Sequence, residues 1–291
     1  MPAMEPVPAA RPRARTPVAL GFLALSTTIT GAALVLHLNA EAAPEVDQWG
    51  LPGFEGILAV VTASIGYLIL RSTSNPTGWI FTGLGVSSSL QYIAEEYAAA
   101  GLPPGPTLAG AVTVAWIAEW IWVPLVASIG LLLLIFPDDR LDSLPGRIIA
   151  AVGAAAATAA VFAAAFLGPR VVTWDVPNPY AINQDPQLYD GIFGVGAIVM
   201  MLSLVAAAVR LVARLRRATG VRRQQLKWFV YASAYASVSL VFSAIPATTA
   251  VASKFAVFGV VAIAAASAVA VLRYRLYDID VVINRTLVYV H

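Results

Sequence analysis

The chain has 291 residues, of which 59% are hydrophobic and only 12% charged, with a mean hydropathy of +0.78 and a net charge of +2. That composition excludes an ordinary water-soluble domain, in which about a quarter of the residues are charged, and predicts an integral membrane protein. Cysteine is absent, which excludes a disulfide framework, a thiolate metal site and a cysteine nucleophile.

Crossing a hydrocarbon core of about 30 Å takes about 20 helical residues. Eight apolar runs approach that length, near 17–37, 54–71, 78–98, 110–136, 148–168, 191–213, 228–248 and 254–273. The first follows Arg11, Arg13 and Arg15 and precedes the small-residue stretch Ala40-Glu41-Ala42, yet its apolar core is too long for a signal peptide, so a retained helix is predicted. Before the third run, Pro76 suits the first turn of a helix, where its missing N–H costs nothing. The fourth run ends at Phe136-Pro137-Asp138-Asp139, a turn signal.

The fifth run, IIAAVGAAAATAAVFAAAFLG, is dominated by alanine. Small residues let helix backbones approach closely in lipid, so this helix is expected at the centre of the bundle. The proline-rich segment 169–191, with Trp174, Tyr180 and Tyr189 interleaved, reads as a semi-ordered cap on the membrane interface. Between the sixth and seventh runs lies RLVARLRRATGVRRQQLKWF, a strongly basic helical stretch broken at Gly220. Its basic residues Arg222, Arg223 and Lys227 precede an interfacial Trp228.

Lysine and arginine resist translocation and collect in cytoplasmic loops. With the N-terminus inside, every Lys and Arg except Arg170 and Lys254 falls on the inner side, and an even number of spans returns the C-terminus there too. Glu41, Glu45, Asp47, Glu55, Asp175, Asp185 and Asp190 fall in or beside the outer loops. The expected architecture is thus an all-α polytopic bundle of about eight transmembrane helices with both termini cytoplasmic. Its parts are a cytoplasmic tail (1–16), a transmembrane domain (17–273) and a cytoplasmic juxtamembrane segment (274–291). The basic residues of the inner side are expected to attract anionic membrane lipid. Their place between two spans argues against nucleic acid as a partner.

Charge within hydrocarbon costs about 2.5–3.5 kcal/mol at a helix centre on insertion scales, so its exceptions are informative. Glu119 lies about nine residues into the fourth run among Trp116, Trp120 and Trp122. In the third, Ser88, Gln91 and Glu95 fall at i, i+3 and i+7, one polar stripe with Tyr92 and Glu96 beside it. Two readings follow. In one, Glu95, Glu119, Gln91, Trp116 and Trp120 line an outward-facing pocket for a cation, a proton or a cationic amphiphile. In the other, Glu95 and Glu96 snorkel to the interface, and Glu119 only fixes packing through an interhelical hydrogen bond. The two histidines, His37 and His291, lie on opposite sides of the membrane and cannot share a metal ion.

The stretches NPTGWIF (75–81), FPDDRL (136–141), GVRRQQLKWFVYA (220–232) and LRYRLYDIDVVINRTLVY (272–289) together resemble, in order and spacing, the membrane half of polytopic bacterial sensor histidine kinases. Asp139 stands where the family commonly has glycine, and the basic run after the FPD turn is reduced to Arg147. The resemblance implies a bacterial cell-membrane, signal-sensing domain of a two-component system. It also implies that Arg273, Arg275, Asp278, Asp280, Asn284 and Arg285 belong to a coupling element, here truncated, that passes a stimulus to cytoplasmic domains. Leu276, Ile279 and Ile283 recur at helical spacing, which suits an interfacial helix, while Val281-Val282-Ile283 also suits a strand. No phosphoacceptor helix or nucleotide-binding segment is found, so no enzymatic activity and no cofactor are expected of these residues. Implied partners are a second copy or an intact histidine kinase, besides an unknown ligand. The competing readings are a small transporter, with Pro124 and Pro246 as possible kinks, and a regulatory membrane partner of an intact kinase.

Overall fold

The structure is a computed structural model that describes residues 15–39, 54–72, 77–103, 107–136, 140–141, 143–183, 185–243, 255 and 258–269. Among these residues the chain forms eight α-helices. They are α1 (Arg15–Asn39), α2 (Phe54–Ser72), α3 (Thr77–Gly101), α4 (Ala111–Ile135), α5 (Leu144–Phe162), α6 (Pro186–Arg217), α7 (Gly220–Ser243) and α8 (Phe258–Val269). Four segments, Thr16–Asn39, Ala111–Ile135, Leu144–Leu167 and Pro186–Arg217, are long and apolar enough to cross a membrane. The helix α3 is as long as α4 but is not among them, because Ser87-Ser88-Ser89, Gln91, Glu95 and Glu96 dilute its apolar character. Large apolar side chains face outward along the long helices, among them Val18 on α1, Ile148 on α5 and Val195, Leu202 and Val209 on α6. An apolar exterior of this kind is compatible with a protein that resides in a membrane.

Local signals set the ends of the elements. Ser143 caps α5 by accepting from Gly146 N, and Pro145 occupies its first turn. Asp185 does the same for α6 through Gln187 N, with Pro186 following it. Gly220, at φ +55°, turns the chain between α6 and α7, so the basic stretch is divided into the last turns of one helix and the first turns of the next. Pro124 lies inside α4 without interrupting it. Pro76, Pro137, Asp138, Asp139, Pro246 and the segment 273–291, with Arg273, Arg275, Asp278, Asp280, Asn284 and Arg285, lie outside the described residues.

Packing is closest between α2 and α3. A Cβ on Gly85 would stand 2.6 Å from the Cβ and N of Ala63 and 2.8 Å from Ala59 O. One on Gly66 would strike Thr82. Helix α3 packs against α1, α2 and α4 at once and buries Phe81, Leu84, Ser88, Gln91 and Tyr92. The expectation that the alanine-rich α5 is central does not hold. Leu144, Ile148, Val152 and Phe162 of α5 face outward, and its close approach is confined to one face, where a Cβ on Gly196 of α6 would lie 3.0 Å from Ala156 O and 3.2 Å from Ala160 Cβ. Alanine on all sides of a helix marks no particular face for burial, whereas α3 combines small residues with large apolar ones on a wide arc.

One end of the bundle is basic. There Arg210 Nη2 donates to Ser143 Oγ at 2.6 Å, Arg214 donates to Leu133 O, and Phe136 stacks on Phe229 at 3.9 Å, so the end of α4, the start of α5, the end of α6 and the start of α7 are brought together. Arg170, at the opposite end, is engaged by Asp175 at 2.6 Å.

Candidate functional site

The end of the bundle opposite the arginines is closed by residues 168–183, and the turn that follows α5 prepares their seat. Residues Ala163–Leu167 wind as a π-turn, with Gly168 N donating to Ala163 O at 3.2 Å. The Ala165 carbonyl then accepts from two side chains, Trp116 Nε1 at 2.7 Å and Asn178 Nδ2 at 3.1 Å. Asn178 is buried; it also donates to Gly168 O at 2.9 Å and accepts from Tyr180 N at 2.9 Å. Pro169 O receives Asn178 N at 3.0 Å, and Phe166 O receives Ile182 N at 2.8 Å.

Within this cap, β1 (Arg170–Val171) pairs antiparallel with β2 (Val176–Pro177) around a 3₁₀ turn, Val172–Trp174, that ends on Asp175 at φ +49°. Val171 is 1% exposed and plugs a small apolar cluster of Ala98, Leu102, Ala111 and Ala115 at the ends of α3 and α4. The cap anticipated from the prolines is therefore an ordered structure tied to two helices and a π-turn.

Four of the five residues predicted to line a pocket hold specific bonds. Glu119 Oε2 accepts from Thr173 N at 3.2 Å, so the carboxylate caps the 3₁₀ turn across 54 residues of sequence. Gln91 Nε2 donates to Ala118 O at 3.2 Å and also to Glu95 on its own helix. Trp116 lies against Tyr180 (ring centroids 4.5 Å), Trp120 (5.6 Å) and Phe166 (6.1 Å). The fifth, Trp120, buries an indole N–H that has no hydrogen-bond partner among the described residues, as does Gln91 Oε1. The two carboxylates thus point to different partners, Glu95 to Gln91 and Glu119 to the cap, while Gln91 reaches α4 at Ala118, the residue before Glu119. Trp122, the third tryptophan of the group, bonds back to Glu119 O at 2.9 Å.

Glu96 has a partner that sequence reading did not supply: His37 Nδ1 lies 3.0 Å from its Oε1, with both side chains largely buried. Ser26 Oγ donates to Gly85 O at 3.2 Å. A line of polar contacts therefore runs from α1 through α3 and α4 into the cap. Chemically, this end offers carboxylates in a half-buried, aromatic-walled setting, suited to holding a cation. Among the described residues no three His, Asp or Glu side chains are grouped to hold a metal ion.

Of the basic residues between α6 and α7, Arg223 and Lys227 project outward from the first turns of α7, and Arg222 belongs to the same helix. Comparison with protein-family models, with curated proteins and with solved structures found no match for this chain.

Proposed function

We propose that this chain is the multi-pass, membrane-embedded sensing portion of a bacterial two-component sensor histidine kinase, or of a relative that works beside an intact kinase. On this reading it spans the membrane about eight times, with the arginine-rich end in the cytoplasm. It has no phosphotransfer chemistry of its own. The ordered motifs from Asn75 to Tyr289 support the family.

The observation that carries the sensing role is the double attachment of α4. At one end its Glu119 and Trp116 hold the cap and the π-turn. At the other its Leu133 carbonyl and Phe136 hold α6 and α7. A cationic ligand that breaks the Glu119–Thr173 contact frees the cap from α4, and a shift of α4 is felt at the basic end, from which residues 273–291 would pass it on. The unbroken course of α4 through Pro124 favours a receptor over a carrier, whose substrate helices are commonly interrupted near the midplane.

The experiment reads intrinsic tryptophan fluorescence of the protein in vesicles, with added tetraphenylphosphonium as the cationic probe. A receptor shows a saturable change that Glu119→Gln abolishes, without accumulation of the probe inside the vesicles. Directional accumulation, or a response that Glu119→Gln leaves intact, contradicts the proposal. Co-purification with a histidine kinase from the native membrane is the corresponding check on the partner.

A further inference from the structure

Two apolar furrows run along the helices that lead to the basic end. One, of about 760 Å³, lies among α4, α5 and α6 and reaches Arg147. The other, of about 570 Å³, lies between α6 and α7; Val205, Val209 and Val212 wall one side, Val238 and Phe242 the other, and Arg216 stands at its end. From Val205 to Arg216 the furrow follows α6 for about 16 Å at 1.5 Å per residue.

The two differ in charge. At the first, Arg147 is the one charged residue of the lining. At the second, Arg216 and Arg217 are joined by Arg223 and Lys227, all four exposed, and no Asp or Glu occurs anywhere from 191 to 277. Trp228 and Tyr231 project beside them at 63% and 61% exposure, aromatic residues of the kind that settle at headgroup depth. In the furrow wall Ser237 is 5% exposed, and its Oγ has no hydrogen-bond partner among the described residues.

We propose that the α6–α7 furrow binds one anionic phospholipid, its acyl chain along Val205–Arg216 and its phosphate against Arg216 and Arg217. The proposal rests on membrane residence but not on the sensing role. Hydrocarbon gains little by moving from bilayer to furrow, since lipid tails are as apolar as the wall; the furrow orients the lipid and the clustered cations choose its headgroup. Each juxtamembrane cation contributes about a fivefold preference, the equivalent of about 1 kcal/mol.

The test is native mass spectrometry of the detergent-solubilised full chain with dioleoylphosphatidylglycerol or dioleoylphosphatidylcholine. The wild type retains one phosphatidylglycerol in clear preference to phosphatidylcholine. Arg216→Gln with Arg217→Gln lowers that preference about 25-fold, two fivefold steps, at unchanged helical circular dichroism. Ala213→Leu, which fills the furrow without touching the charges, weakens retention of both lipids. Equal retention of the two lipids by the wild type overturns the site, as does a preference that survives loss of both arginines. A dimer that Ala213→Leu dissociates overturns it too, because the occupant is then a second copy. Full displacement of the lipid by glycerol phosphate also counts against it, because the furrow then plays no part.

Discussion

Gly83 and Gly85 sit two residues apart in α3 and should respond oppositely to the same change. Both replacements by alanine gain the same helix propensity, about 1 kcal/mol in water. A Cβ on Gly83 meets nothing within 4 Å. On Gly85 it would stand 2.6 Å from Ala63 Cβ, where carbon atoms prefer about 3.5–4.0 Å, so α2 and α3 must part by about 1 Å along their interface. Overpacking of this kind costs about 1–3 kcal/mol. The difference between the two variants isolates that cost, because the propensity gain cancels. Unfolding in mixed micelles with increasing SDS, followed by circular dichroism, should place Gly83→Ala at or above the wild-type midpoint and make Gly85→Ala less stable than Gly83→Ala by that amount. Equal midpoints for the two alanine variants would refute the close α2–α3 packing.

The cap and the α1–α3 contact make separate predictions. Asn178→Ala removes two donated bonds and one accepted one and leaves buried backbone groups short of partners, a loss of about 1–3 kcal/mol. Limited chymotrypsin digestion should cut the variant faster at the exposed Tyr180, and unchanged cutting would contradict the role given to Asn178. His37→Ala and Glu96→Ala should be coupled by about 0.5–1.5 kcal/mol in a double-mutant cycle, the net worth of one hydrogen bond. Strict additivity would mean that the 3.0 Å contact contributes nothing.

Helix positions were largely legible because apolar run length is a strong signal when lipid is the solvent. The run 54–71 became Phe54–Ser72, and 110–136 became Ala111–Ile135. The sixth apolar run covers only 191–213, whereas α6 runs from Pro186 to Arg217. Hydropathy registers only its apolar middle, whereas its ends are set by the Asp185 cap and by the left-handed turn at Gly220. Within the site, the stripe of Gln91 and Glu95 followed from helical spacing alone. The long-range partners of Glu119 and Glu96 did not: Thr173 is 54 residues from Glu119, and His37 is 59 from Glu96. The π-turn that frees Ala165 O lies in a run of alanines with no local mark of it. Asn178, between Pro177 and Pro179, carries no local signal that sets it apart in the sequence, and only burial reveals it as the residue that fastens the cap.

The central claim is a multi-pass helix bundle with its arginine-rich end in the cytoplasm and its cap outside. Because the chain has no cysteine, single cysteines can be placed at the exposed positions 172 and 182 in the cap and 217 and 227 at the basic end without background. In intact cells a membrane-impermeant maleimide should label Val172→Cys and Ile182→Cys, and should reach Arg217→Cys and Lys227→Cys only after lysis. Labelling of positions 217 or 227 from outside, or equal labelling of all four before lysis, would contradict the account.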